Sequence, residues 1–182
     1  MSEAREPRAE AVTIGTAAFD AARSVHRSLL EAGATCATAE SLTGGLIGAH
    51  LTSVPGASAT YRGGLVTYAT ETKAALLGVP TALLAAHGAV HPDVAAHMAR
   101  GARRVTGADF AVAVTGVAGP DPQDGRPVGT VFAAVAGPDA PTRVERFRFT
   151  GDRAGIRYLT VEGALRLLRT AVRGNQAGST RY

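Results

Sequence analysis

The chain has 182 residues, of which 46% are hydrophobic, and a formal net charge of +4 at pH 7. This length can bury one substantial core, so we expect a single domain over residues 13–174, with mobile tails at 1–12 and 175–182. No apolar run approaches the roughly 18 residues of a membrane helix, and the N-terminus lacks the apolar stretch of a secretion signal, so we expect no membrane partner and a cytoplasmic location.

The positive charge is spread along the chain. Only Arg103 and Arg104 are adjacent arginines, and the chain has no tryptophan and few other aromatic residues that could stack on bases. We therefore expect no nucleic-acid partner, whereas a mildly basic protein attracts a phosphorylated metabolite. The one cysteine, Cys36, cannot form an internal disulfide, and its place in a predicted strand favours a small buried side chain over a reactive thiol.

Helical and strand patterns alternate along the chain, which predicts an α/β protein, a single-domain three-layer α/β/α sandwich with a mixed central sheet. The alternation of charged and apolar side chains at 143–149 is typical of a half-exposed edge strand. The predicted elements in chain order are a helix at 17–31, a strand at 34–39, a helix opened by residues 43–45 and ending near 52, a strand at 64–68, a helix that starts at 70, a helical turn at 82–86, a helix at 92–105, strands at 110–115, 128–136 and 143–149, and a helix at 153–172.

Ser41 is the candidate nucleophile, at the corner between the first predicted strand and the next helix. Free backbone N–H groups beside glycines at a helix start can bind a phosphate or the oxyanion of a tetrahedral intermediate. Thr43, Gly44 and Gly45 are therefore candidate binding residues. The alternative is structural, with Ser41 or Thr43 acting only as a helix cap, which is the commonest role of such residues.

Lys73 is the single lysine among nineteen lysine and arginine residues. Arginine stays charged at any working pH, whereas a buried lysine can lose its proton, so Lys73 is a candidate general base. We expect Thr70 to cap the helix, which places Lys73 in the first turn, where the helix dipole lowers the lysine pKa. The alternative is a solvated surface lysine.

Two further segments are candidates for substrate binding. The loop TGVAGPDPQDGRPVG, which starts at Thr115 and Gly116, joins two buried strands and is too long for a tight hairpin; its alternative is a connector without a ligand. Near the last helix, Asp152 is a candidate cap. Arg153 and Arg157 lie one turn apart, an arrangement suited to a phosphate, although solvated helix charges have the same spacing.

The histidines give little support for a metal site. His87 and His91 have the spacing of a helical ligand pair, but Gly88 lies between them and Pro92 follows, so we expect polar loop histidines and no metal. None of the five histidines lies in a recognisable serine-triad motif. This leaves lysine as the base, in chemistry that requires no cofactor.

Blocks of sequence over most of the chain resemble the nicotinamide-nucleotide amidohydrolase family, also known as the CinA C-terminal domain. In order, they are ATAESLTGGLIGAHLTSVPGAS, YRGGLVTYATETKAALLGV, HGAV, ADFAVAVTGVAGPD, RPVGTVFAAV and FTGDRAGIR. The resemblance implies an enzyme of pyridine-nucleotide recycling that hydrolyses the carboxamide of nicotinamide mononucleotide (NMN), giving nicotinate mononucleotide and ammonia. By resemblance, Ser41 and Lys73 are its catalytic dyad. Tyr68 is its tyrosine before the lysine helix, a catalytic residue expected to orient the lysine or share a hydrogen bond with it. Glu40 is its glutamate before the nucleophile and is expected to bind substrate. We also expect a homo-oligomer, a dimer.

Three positions depart from the family pattern. Leu42 stands where many relatives have cysteine, His91 stands where serine is common, and Arg126 replaces the lysine of a Lys-Pro-Val-Gly motif. Arg126 can still hold a phosphate or a carboxylate. A non-catalytic nucleotide-binding or interaction module stays open as the alternative function, because relatives also occur fused to a second domain.

Overall fold

A mixed five-stranded sheet lies between two layers of helices in the computed structural model, which describes residues 16–179. The strands are β1 (Cys36–Glu40), β2 (Tyr61–Val66), β3 (Phe110–Gly116), β4 (Thr130–Ala136) and β5 (Arg143–Arg148), in the order β2-β1-β3-β4-β5. The central strand β3 pairs parallel with β1 and antiparallel with β4, while β2 and β5 form the two edges. This arrangement confirms the predicted three-layer α/β/α sandwich.

The helices are divided between the two faces of the sheet. They are α1 (Thr16–Ala32), α2 (Leu46–Thr52), α3 (Thr70–Leu77), α4 (Thr81–His87), α5 (Pro92–Thr106) and α6 (Arg153–Ser179), with a short 3₁₀ turn at Ala57–Ala59. Val112 and Val114 of β3 pack with helices α1, α2 and α6, whereas Ala111 and Ala113 pack with α3, α4 and α5, since successive side chains of a strand point to opposite faces. None of these helices is both long enough and apolar enough to cross a membrane.

Two element boundaries differ from the prediction in ways that affect the site. Strand β2 ends at Val66, which pairs with Glu40 at the end of β1, so Thr67 and Tyr68 lie in the connection to α3 rather than in the strand. Their carbonyl groups are thereby free of the sheet ladder. The N-cap of α3 is Ala69, which makes no side-chain cap, so the predicted cap at Thr70 is wrong.

The C-terminal helix is longer than its pattern indicated. It continues to Ser179 instead of ending near 172, so residues 175–179 of the predicted tail are helical. The predicted tail at 1–12 lies outside the described residues. At the other end of α6, the carboxylate of Asp152 accepts the Gly155 amide at 2.7 Å, as the predicted cap requires.

The structure accounts for the histidine at position 91. His91 is the N-cap of α5, and its Nδ1 atom accepts the Asp93 amide at 3.3 Å, the bond that a serine hydroxyl would otherwise accept. Pro92 then occupies the first helical position, where its missing N–H is not needed. A histidine can therefore replace a serine here without loss of the cap.

Candidate active site

A cleft of about 110 Å³ lies at the carboxyl ends of the parallel strands β1 and β3, where the loops after three strands meet the first turn of α6. It brings together six residues singled out by the sequence, namely Ser41, Tyr68, Lys73, Thr115, Gly116 and Arg153. Five more lining residues belong to the candidate loop that starts at Thr115, namely Val117, Ala118, Gly119, Asp121 and Gln123. Leu42, Ala89 and Val90 were not singled out as binding residues.

Ser41 follows β1 directly and extends its pairing with β3, because its amide donates to the Val114 carbonyl at 3.2 Å. Only 9% of the residue is exposed, on the wall of the cleft. The N-cap of α2 is Gly45, which makes no side-chain cap. Ser41 therefore does not cap α2, and the structural alternative for this residue is excluded.

Glu40 is buried beneath the turn between β1 and α2, residues 41–45, rather than on the cleft wall. Its carboxylate accepts the Thr43 hydroxyl at 2.7 Å, the amides of Gly45 and Ile47 at 3.0 Å each, and the Gly48 amide at 2.9 Å. A carboxylate at the positive end of a helix is favourable and satisfies amides that have no helical partner. Glu40 thus holds the turn that carries Ser41.

The glycine amides proposed as ligand donors are engaged within the same turn. Gly44 donates to the Ser41 carbonyl at 3.1 Å, and Gly45 donates to Glu40. The side chain of Thr43 is fully buried and is likewise bonded to Glu40. Leu42, which follows Ser41, lines the cleft.

Lys73 projects from α3 into the protein and is only 1% exposed. Its Nζ atom donates to the carbonyls of Thr67, at 2.7 Å, and Tyr68, at 3.1 Å, both in the connection that follows β2. Lys73 also lines the cleft that Ser41 lines. A neutral amine has two N–H groups and one lone pair, so Lys73 is a candidate proton acceptor there.

Burial lowers the pKa of Lys73 from 10.5 to about 8, and the carboxylates of Asp124 and Glu71 act in the opposite direction. Desolvation disfavours the charged ammonium, so it outweighs the two attractions. With a pKa of about 8, roughly one tenth of the amines are neutral at pH 7 and half at pH 8. A solvated surface lysine, the alternative interpretation, has neither this burial nor this pKa.

The mouth of the cleft is spanned by Arg153 and Tyr68. Arg153 donates to the Tyr68 hydroxyl at 2.9 Å and to the Gly119 carbonyl at 2.6 Å. The Tyr68 ring is on the outside, since 59% of the residue is exposed, and Tyr68 contacts Lys73 through its main-chain carbonyl. Both partners of Arg153 are neutral, so its positive charge is not balanced by an ion pair with them.

Two other arginines singled out by the sequence do not line the cleft. Arg157 donates to the carbonyls of Leu42, at 3.0 Å, and Thr43, at 2.8 Å, and so connects the 41–45 turn to α6. Arg126 pairs through its backbone with Gln123, with N···O distances of 2.8 and 3.1 Å, in a small turn of the loop after β3. A contact between either guanidinium and a substrate stays a prediction.

Asp124 is the residue that sequence reasoning missed most clearly. Its carboxylate accepts the amides of Ala89 and Val90, at 2.7 and 3.2 Å, and those two residues form one wall of the cleft. The available signal was the Asp-Gly pair at 124 and 125, which is typical of a tight turn with positive φ. Both residues have positive φ, 50° and 66°.

The histidines and the cysteine have other environments. The rings of His87 and His91 stack with centroids 4.5 Å apart, and His91 is occupied as a helix cap. Within residues 16–179, no group of three or more His, Cys, Asp or Glu side chains is placed to hold a metal ion. Burial raises the pKa of the Cys36 thiol to about 12, which is unfavourable for a nucleophile.

The fold and the cleft define an α/β protein with a polar site at the carboxyl ends of parallel strands, the usual ligand position in such sheets. The family model of the CinA C-terminal domain matches residues 18–172. The chain therefore belongs to the CinA C-terminal domain family.

Curated relatives and solved structures agree with this assignment. The chain is 53% identical over 146 residues to a CinA-like protein of Frankia casuarinae and 56% identical over 146 residues to one of Geobacter sulfurreducens. These matches cover 80% of the chain but only 34% and 35% of those proteins, so the chain spans about a third of their length. Among solved structures, competence/damage inducible protein CihA from Agrobacterium tumefaciens is 38% identical with a TM-score of 0.82, over 86% of this chain and 96% of that one. A CinA superfamily protein from Klebsiella pneumoniae is 34% identical with a TM-score of 0.82, over 86% and 98%.

Proposed function

We propose that the chain is an amidohydrolase that converts NMN to nicotinate mononucleotide and ammonia, with Ser41 as nucleophile and Lys73 as general base. One observation carries the proposal. The single lysine of the chain is buried, has a pKa of about 8, and lines the same small cleft as a serine at a strand-to-helix corner. A general base is most effective when its pKa lies close to the working pH.

In the first half of the proposed reaction, neutral Lys73 accepts the proton of the Ser41 hydroxyl through its nitrogen lone pair. The Ser41 oxygen attacks the carboxamide carbon, and the carbonyl electrons move to the oxygen to give a tetrahedral oxyanion. When this intermediate collapses, the C–N bond breaks, the nitrogen takes the proton from the Lys73 ammonium, and ammonia leaves. An ester of nicotinate mononucleotide with Ser41 remains.

In the second half, neutral Lys73 accepts a proton from water while the water oxygen attacks the ester carbon. Collapse of the second tetrahedral intermediate breaks the bond between carbon and the Ser41 oxygen, which regains its proton from Lys73. The product is released as a carboxylic acid that gives its remaining proton to the solvent and becomes a carboxylate, and both side chains return to their starting states. The same lysine therefore moves the proton in both halves.

Donors for the oxyanion come from the backbone in this proposal. The Leu42 amide is the first candidate, because Leu42 follows the nucleophile and lines the cleft, the position that supplies such a donor in other serine hydrolases. Arg157 and Glu40 support it indirectly, since they fix the carbonyls and amides of the same turn. This replaces the glycine amides that the sequence suggested.

The size of the cleft favours the reacting end of the substrate as its occupant. A volume of about 110 Å³ is below the roughly 300 Å³ of a typical small-ligand pocket, so a nicotinamide ring suits it better than a whole nucleotide. The ribose and phosphate would then extend past the mouth, where the exposed Tyr68 ring and the Arg153 guanidinium lie. A mononucleotide thus fits with its positively charged nicotinamide ring inside the polar cleft and its phosphate beside the Arg153 cation.

Incubation of the purified chain with NMN should release ammonia and nicotinate mononucleotide in equal amounts, without added metal or cofactor. The two products are measured by a coupled ammonia assay and by chromatography. If NMN binds but neither product forms, the non-catalytic nucleotide-binding module becomes the better description of the chain. If NMN neither binds nor reacts, the proposed substrate is wrong.

Removal of the substrate phosphate should lower kcat/KM by about 100-fold, because Arg153 then loses a charge-assisted contact. The comparison is between NMN and nicotinamide riboside at several ionic strengths, since screening weakens an exposed contact. An Arg153→Gln variant should lose most of this preference. Arg166→Gln, an exposed arginine on the same helix but outside the cleft lining, is the matched control and should keep it. Equal hydrolysis of both substrates by the wild type would contradict phosphate recognition.

A further inference from the structure

We propose that Asp124 is a positioning residue of the Ser41–Lys73 site, which holds the 88–90 segment in place as one wall of the cleft and sets a negative charge near the lysine. The inference rests on the proposed amidohydrolase function and adds a residue to its machinery. Three features of the structure support it.

The first feature is the turn that presents the carboxylate. Gln123 and Arg126 pair through both of their backbone hydrogen bonds, at 3.1 and 2.8 Å, and enclose an Asp-Gly pair with φ of 50° and 66°. Positive φ at both central positions is the geometry of a tight two-residue hairpin turn. Aspartate and asparagine tolerate this conformation better than other residues with a side chain. The carboxylate position is therefore fixed by local backbone structure.

The second feature is the cleft wall, which is held from two sides. Asp124 accepts the amides of Ala89 and Val90, while the Thr115 hydroxyl donates to the Ala89 carbonyl at 2.8 Å. Ala89 and Val90 are both buried and line the cleft. Gly88, with φ of 70°, lies so close to the Asp124 side chain that a Cβ atom would collide with it. The segment is thus shaped to receive this carboxylate.

The third feature is electrostatic. Asp124 from the loop after β3 and Glu71 from the helix of Lys73 both raise the lysine pKa, against the larger lowering by burial. Asp124 and Glu71 lie outside the cleft lining, and the charged residues that line it together with Lys73 are Asp121 and Arg153. Because Asp124 is itself exposed, solvent screens its charge, and its effect on Lys73 is a modest adjustment rather than the main cause of the shifted pKa.

The test separates the charge of Asp124 from its hydrogen bonds. Asp124→Asn keeps an oxygen acceptor and suits positive φ, but it removes the charge. Since the charge raises the pKa of Lys73, its loss should lower that pKa by about half a unit, with KM unchanged. Asp124→Gly also accommodates positive φ but releases the 88–90 wall. It should lower the Lys73 pKa similarly and raise KM for NMN by about 10-fold.

The pKa can be read without any activity. Because Lys73 is the only lysine of the chain, protein made with lysine labelled with ¹³C at Cε gives one lysine signal, whose shift is followed by NMR from pH 6 to 11. If the wild type hydrolyses no NMN, the proposed function fails, and this titration still tests the charge of Asp124 directly. Thermal melting of both variants verifies that they are folded.

Two results would overturn the inference. One is an Asp124→Asn protein whose Lys73 titration coincides with that of the wild type, since the charge would then not reach the lysine. The other is a folded Asp124→Gly enzyme with wild-type KM, because the wall would then be independent of the carboxylate.

Glu71→Gln is the matched control for the electrostatic arm. It should lower the Lys73 pKa and leave KM unchanged, as it has no contact with the wall.

Discussion

Ser41→Ala should lower the rate of NMN hydrolysis by at least about four orders of magnitude, because no covalent intermediate can form without the hydroxyl oxygen. The free energy of unfolding should change by less than about 0.5 kcal/mol, since Ser41 is not the cap of α2 and the helix start is held by Glu40. Turnover is measured by ammonia release and stability by thermal denaturation.

Ser53→Ala is the matched control for this variant. Ser53 lies at the other end of α2, where its hydroxyl donates to the Ala49 carbonyl at 2.7 Å, and it should retain full turnover. Binding of nicotinate mononucleotide by calorimetry should be nearly unchanged in Ser41→Ala. Retained hydrolysis in Ser41→Ala would eliminate the dyad and leave Ser41 as a structural residue.

The fold could be predicted because the sequence patterns and the packing agree. The near-continuous apolar run from Phe110 to Val114 is typical of a strand covered on both faces, and both helical layers do cover it. The predicted edge strand at 143–149 is likewise an edge, with its side chains largely exposed. The sequence pattern did not predict where β2 ends. Its last residue, Val66, pairs with Glu40 at the end of β1, so the partner strand sets this boundary.

The site was only partly accessible from the sequence, for a definite physical reason. Residue types indicate which groups have suitable chemistry, and this is enough to single out Ser41 and Lys73. They do not indicate whether a polar group is already bonded inside the protein. Glu40 and Arg157 were both expected to bind substrate, and the structure shows that both are hydrogen-bonded to backbone groups of residues 42–47.

Asp124 illustrates the converse case. In the sequence it belongs to a Pro- and Gly-rich loop and resembles a solvated turn residue. Its partners, Ala89 and Val90, lie 35 and 34 positions away along the chain. Only the packing of the loop onto the segment before α5 places the carboxylate at the cleft, and no local pattern reports such a contact.

Lys73→Arg should lower turnover by about 1,000-fold or more, although it preserves the positive charge. Arginine does not lose its proton at a working pH, so it cannot accept the proton of Ser41. Lys73→Met is the companion variant, because it keeps an unbranched chain in the same buried position and removes the amine. Both should be inactive if Lys73 moves a proton, whereas a purely electrostatic role would leave Lys73→Arg partly active.

The pH dependence of the wild type gives an independent check that does not depend on how a larger guanidinium fits the buried site. The reaction needs the neutral amine, so the fraction of competent enzyme is small below the pKa of Lys73 and rises with pH. With burial lowering that pKa to about 8, the rate should increase roughly 10-fold per unit below pH 8 and level off above it. The same midpoint should appear in the titration of the single lysine signal by NMR. A rate that is constant from pH 6 to 9 would show that the reaction does not depend on deprotonation of Lys73. A lysine that titrates near 10.5 would also show that Lys73 is not the base, because its amine would then be protonated throughout the working range.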